Sequence, residues 1–123
     1  IFTGTLKDNL ELLGKYDQRD ICEIKDIGLE YDDLLEENGF NLSGGQRQRI
    51  ILARALNNFN ILIIDEGLSE VDVNMERRII KGLLERYKNK TIIYVSHRRD
   101  NLDLFDRLVE INDGKILTYE RRV

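Results

Sequence analysis

Apolar residues recur along this chain in two rhythms, and the change falls near Asn41. Before it, residues 5–13, 17–27 and 31–36 show irregular helical spacing, broken at Gly14, Gly28 and Gly39, residues that enter left-handed turns at little steric cost. Beyond it the elements alternate: a helix over 44–57, a strand over 61–65, a helix over 73–87 and a strand over 91–96. Ile61-Leu62-Ile63-Ile64 and Ile92-Ile93-Tyr94-Val95 are nearly continuous in apolar and β-branched residues, the pattern of parallel strands covered on both faces. A last pair of strands, 107–111 and 115–119, meets at Asp113-Gly114, a dipeptide that favours a tight hairpin because both residues tolerate positive φ. The predicted class is α/β. A small helical part over 1–42 precedes a mainly parallel sheet with flanking helices and a C-terminal β-hairpin over 43–123.

Size and composition narrow this picture only a little. With 123 residues, 41% of them hydrophobic and 34% charged, the chain fits one globular domain, and a net charge of -4 argues against binding nucleic acid by bulk charge. Arg47, Arg49 and Arg54 could form a local basic patch, but on a helix they spread over more than one face and read better as a solvated or salt-bridged surface. Cys22 is the only cysteine, so no internal disulfide can form, and nothing near it has zinc-ligand spacing; a reducing, cytoplasmic setting fits. The apolar runs are far shorter than the roughly 20 residues a membrane-spanning helix needs. The opening at Ile1 and the absence of proline suggest a segment excised from a longer protein.

Chemistry concentrates at two places. Leu42-Ser43-Gly44-Gly45-Gln46 stands directly before a helix, with Ser43 and Gln46 at capping-box spacing. Such a helix start offers free N–H groups and a positive dipole end, and the two glycines let a phosphate come close to the backbone. An ordinary capped helix after a glycine turn explains the same five residues. Asp65 and Glu66 are adjacent carboxylates at the C-terminal end of an apolar strand, the edge where parallel α/β sheets place their ligands, although a solvated acidic turn would look alike.

Taken together with Arg47-Gln48-Arg49 and Leu52-Ala53-Arg54-Ala55-Leu56, these motifs resemble the signature helix and Walker B strand of ABC-family ATPases. The resemblance runs from Ile1 to about Tyr119. It implies part of a P-loop NTPase fold of the ABC type. It also implies ATP and Mg as cofactors, with Asp65 on the metal and Glu66 as the base that orients and deprotonates the attacking water. Ser69-Glu70-Val71-Asp72 resembles the D-loop, which in this family crosses a dimer interface, although Asp72 would also serve simply to start the next helix. His97, the only histidine, resembles the switch histidine that contacts the γ-phosphate. In the family Ser43, Gly44, Gly45 and Gln46 bind the γ-phosphate of an ATP held mainly by a partner subunit, so the motif implies a dimer.

Ile1 to Leu10 and Glu37-Asn38-Gly39 resemble exporter segments, the latter a loop facing the membrane domain. The expected function is thus ATP hydrolysis that drives export of a peptide or bacteriocin, a lipid or a drug, at the cytoplasmic face of the cell membrane. No Gly-x-x-x-x-Gly-Lys-Ser/Thr occurs in these residues, so the Walker A loop is missing and the segment alone is expected to be inactive. Departures from the family pattern are Gly67 and Asn58-Phe59, where proline is common, and Glu70-Val71, where Ala-Leu is usual. None removes a phosphate, metal or water ligand. A soluble ABC-type ATPase acting on DNA or ribosomes is the alternative, and the compact motif spacing and exporter-like segments count against it.

Overall fold

The computed structural model describes residues 1–10, 33–39, 41–56 and 58–121. Cys22, the predicted helix over 17–27 and the breaks at Gly14 and Gly28 lie outside the described residues. The elements are β1 (Gly4–Thr5), α1 (Leu6–Leu10), β2 (Leu34–Leu35), α2 (Gly44–Ala55), β3 (Ile61–Asp65), α3 (Val73–Arg86), β4 (Thr91–Val95), β5 (Arg107–Asn112) and β6 (Lys115–Arg121). Single turns of 3-10 helix lie at Glu37–Gly39 and Leu102–Leu104.

The β-α-β unit forms as the periodicity predicts. β3 and β4 pair in parallel with Ile61 opposite Thr91 and Asp65 opposite Val95, and α3 connects them. α3 buries Glu76, Ile79, Ile80 and Leu83, one stripe at helical spacing, while Phe59 and Tyr87 lock its C-terminal end with ring centroids 4.8 Å apart. One continuous core holds Leu6, Leu10, Leu35, Ile50, Leu52, Leu62, Ile64, Leu68, Ile79, Ile80 and Leu83, so the N-terminal residues pack on the same interior as the strands.

Three expectations need correction. Residues 31–36 do not form a helix where they are described: Leu34–Leu35 is a strand antiparallel to Gly4–Thr5. Its backbone is satisfied from afar, since Asn41 donates its Nδ2 to Leu34 O at 3.1 Å and accepts from Glu36 N at 3.1 Å, and Leu6 N donates to Asp33 O at 2.9 Å. Second, the β3–β4 pair is covered on one face only among the described residues. Leu62 and Ile64 are buried, but Ile61, Ile63, Ile93 and Val95 are exposed, because no described element packs against that side. Third, Arg47, Arg49 and Arg54 are half-buried, which removes the solvated alternative and not the salt-bridged one; burial lowers the Arg54 pKa from its ordinary value, and Arg49 Nε turns back to Gly45 O at 3.3 Å.

The C-terminal hairpin stands as a separate two-stranded sheet, with Asp113 and Gly114 both at positive φ (51° and 73°) as its turn requires. A register shift between Glu110 and Ile111 interrupts its ladder. No helix among the described residues is long and apolar enough to cross a membrane.

Candidate functional site at the ends of two parallel strands

α2 begins with a complete capping box. Ser43 Oγ accepts from Gln46 N at 3.1 Å, and Gln46 Oε1 accepts from Ser43 N at 2.9 Å. Gly44 and Gly45 are the first helical residues, and the structure supplies a reason for them beyond the approach of a phosphate. The Glu70 carboxylate lies in the space that a side chain at position 44 would fill, and a Cβ at position 45 would stand 3.1 Å from Glu70 O. The loop after β3 therefore packs directly onto the N-terminus of α2, and Glu70 brings a carboxylate to the positive end of the helix dipole.

Parallel pairing carries the other site residues to one edge. Asp65 closes β3 with an exposed side chain; Glu66 follows it, and His97 stands two residues past β4. His97 Nε2 lies 3.4 Å from Glu66 Oε1. The imidazole is almost fully open to solvent (98% exposed), as suits a group that meets a ligand. Glu66 Oε1 is itself shielded, yet it accepts no hydrogen bond among the described residues. Its backbone is left-handed (φ 55°), unusual for a residue with a Cβ, and Glu66 N donates to Val95 O at 2.9 Å.

The donor set suits a hard cation. Asp65 and Glu66 offer carboxylate oxygens only, the ligand type that Mg takes alongside water and phosphate oxygens.

Asp72 caps α3, its Oδ1 accepting from Met75 N at 2.9 Å, and it makes no hydrogen bond or ion pair to Asp65, Glu66 or His97. Gly67 packs tightly, since a Cβ there would come within 2.7 Å of Ile64 Cγ2. Glu37 is exposed in the turn that precedes α2, and Gly39 closes that turn at φ 69°, where a Cβ would strike the Arg47 side chain. Asn58 also sits at positive φ (58°).

Residues that the sequence did not single out hold this edge in shape. Glu76, buried on α3, accepts from Tyr94 Oη at 2.8 Å and from Asn101 Nδ2 at 2.6 Å, with Arg98 Nη1 at 3.4 Å. Burial first, and the hydrogen bond to Glu76 second, push the Tyr94 pKa well above the usual tyrosine range. Arg98, next to His97, donates to Leu68 O, Ser69 O and Val71 O, so its guanidinium grips the loop after β3 from the β4 side. Gln48 grips it from α2: Nε2 donates to Glu66 O at 3.3 Å and Ser69 Oγ at 3.0 Å, and Oε1 accepts from Glu70 N at 2.7 Å.

Comparison with known proteins shows the family. Residues 3–69 match the ABC transporter family. Across 95% of its length the chain is 35% identical to an ATP-dependent lipid A-core flippase of Vibrio vulnificus (strain CMCP6), of which it covers 22%. It is 37% identical, again over 95% of its length, to the lactococcin-A transport/processing ATP-binding protein of Lactococcus lactis subsp. lactis, covering 18% of that protein. Over 70% of its length it is 47% identical to an ATP-dependent lipid A-core flippase of Yersinia pestis bv. Antiqua (strain Antiqua), covering 15%. The chain thus spans about a fifth of the length of the curated relatives it matches across its whole extent. An α/β unit with a capped glycine helix start, paired strand-end carboxylates and a facing histidine, matched over residues 3–69 and at 35% identity over nearly its whole length, belongs to the ABC transporter family.

Proposed function

We propose that this chain is the hydrolytic and signature-bearing part of the ATPase domain of an exporter, acting on Mg-ATP as one half of a dimer. The observation that carries the reading is Glu66 at the end of β3 with His97 Nε2 3.4 Å from its Oε1, both at the edge where Asp65 closes the strand. A base needs an acceptor atom free for the water proton and a neighbour that can hold the group under attack. Glu66 takes the first role and His97 the second, contacting the γ-phosphoryl oxygens. Asp65 holds Mg, which when bound supplies positive charge to offset the charge that spreads over the phosphoryl oxygens during transfer. The N-terminus of α2, with Ser43, Gly44, Gly45 and Gln46, binds the γ-phosphate of the ATP carried by the partner subunit, and Asp72 lies on the loop that crosses the dimer.

Residues 1–42 belong to the helical subdomain, and its turn at Glu37 faces the transmembrane domain, which sets the assembly at the cytoplasmic face of the cell membrane. The relatives' names support a lipid or a peptide as the exported cargo. Because no Walker A loop occurs among these 123 residues, the segment by itself does not hold nucleotide.

Two measurements test this. Glu66→Gln in the whole protein is expected to lower Mg-ATP hydrolysis by roughly a hundredfold or more while nucleotide still binds, the scale on which a general base contributes; hydrolysis at the normal rate would remove Glu66 as the base. Calorimetry with Mg-ATP on this chain and on a longer polypeptide that includes the Walker A loop is expected to give binding only for the latter. Tight binding by the 123 residues alone would mean that they contain a nucleotide cradle of their own.

A further inference from the structure

Glu66 occupies a backbone conformation that does not hold itself. A residue with a Cβ is sterically disfavoured in the left-handed region, so φ 55° persists only where the surroundings demand it. Val95 O fixes the N–H side at 2.9 Å. On the carbonyl side the Ser69 N–H arrives from within the loop at 3.3 Å, and the side chain from outside the loop is Gln48, whose Nε2 lies at 3.3 Å.

The primary amide of Gln48 has two N–H donors and one carbonyl acceptor, and all are engaged on this loop. One donor reaches Glu66 O and one Ser69 Oγ, while Oε1 accepts from Glu70 N at 2.7 Å. A single half-buried side chain therefore ties both ends of the 66–70 segment to the second turn of α2. That turn lies four residues from Gly44, on a helix of 12 residues whose start is pinned by the Ser43 box. Within one helix the hydrogen-bonded backbone is stiff, so a displacement of the Ser43–Gln46 end reaches Gln48 nearly undiminished.

We propose that Gln48 is a positioning residue for the general base: it transmits the state of the α2 N-terminus to the backbone of Glu66. The inference rests on the reading of Glu66 and Ser43–Gln46 given above and deepens it. If that helix start engages a nucleotide held by the partner, the amide of Gln48 joins the partner's ATP to this subunit's own hydrolytic residue. A phosphate docked on α2 then acts through Gln48 to tighten the left-handed pose that Glu66 already adopts.

The test uses the whole protein, with steady-state hydrolysis and nucleotide affinity measured for wild type, Q48A, Q48E, E66Q and Q48A/E66Q. Gln48→Glu is close to isosteric and keeps the acceptor for Glu70 N but cannot donate to Glu66 O or Ser69 Oγ when ionised. Both single substitutions at position 48 are expected to lower kcat by roughly ten- to a hundredfold, the scale of a misplaced catalytic group, with KM and nucleotide affinity within about twofold of wild type. Q48A/E66Q is expected to be no slower than E66Q, because the residue that Gln48 serves is already gone. A merely structural role would instead lower the melting temperature and weaken nucleotide binding and kcat together. Wild-type kcat in Q48A and Q48E beside an inactive E66Q overturns the inference and leaves the base assignment standing. An E66Q protein that hydrolyses at the normal rate overturns the base assignment, and the positioning role falls with it.

Discussion

Glu76 shows how a side chain that looks solvent-facing in sequence becomes part of the interior. On α3 it stands at the helical spacing of Ile79, Ile80 and Leu83, yet a carboxylate among apolar positions reads as a polar interruption unless its partners are known. Those partners, Tyr94, Arg98 and Asn101, lie 18 to 25 residues further on, and no local pattern announces them. Buried carboxylates need such donors, because leaving one unpaired costs several kcal/mol. The network has a pH signature. The folded Tyr94 pKa is raised, by burial and by donation to Glu76, so the unfolded chain releases its proton first. Its contribution to stability is fully present below about pH 10, the ordinary tyrosine value, and is lost as pH rises through the higher folded pKa. Urea melts of the longer ATPase polypeptide across that window are expected to show a smaller alkaline loss for Tyr94→Phe than for wild type; parallel curves would rule out this tyrosine as the source. Glu66 sets chemistry against stability at a single position. Asparagine tolerates positive φ better than glutamate, so Glu66→Asn is expected to raise the stability of the same polypeptide by a few tenths to about 1 kcal/mol while hydrolysis is lost. An unchanged or lower melting temperature would show that the left-handed backbone carries no strain there.

Local signals were the legible ones at the level of elements. Ser43 with Gln46, Asp72 before Val73 and Asp113-Gly114 each act within four residues of chain, and each forms the cap or turn that its residue types favour. The Thr5–Asp8 pair does the same for α1, with Thr5 N donating to Asp8 Oδ2 and Asp8 N to Thr5 Oγ1, both at 3.1 Å. β2 was not legible. Two leucines after an acidic run satisfy a helical pattern as well as a strand, and what decides between them is pairing with Gly4–Thr5 and the Asn41 amide. Ser43→Ala and Asp72→Ala are each expected to lower stability by about 1 kcal/mol, the usual value of an N-cap. Ser43→Ala should in addition weaken hydrolysis by the dimer well beyond what the lost stability explains. Wild-type activity of Ser43→Ala at matched stability would reduce Ser43 to a cap.

For the molecule as a whole, apolar content and strand type were readable, but cover was not. β3 and β4 carry residues for two buried faces, and composition cannot say which segment supplies the second layer. Among the described residues Ile61, Ile63, Ile93 and Val95 face outward and the β3–β4 pair has no further strand partner, so the polypeptide is expected to self-associate in dilute solution. Sedimentation at rising concentration checks this. Ile63→Lys should shift the equilibrium toward monomer, and a wild type that stays strictly monomeric would show that the exposed face is not adhesive. The open face also leaves a calorimetric mark. Water ordered on it adds heat capacity to the folded chain, so any surface that covers it must release that water and bind with an enthalpy that grows more negative on warming. The temperature slope of that enthalpy therefore measures how much of the β3–β4 face has found its missing layer, whichever molecule provides it.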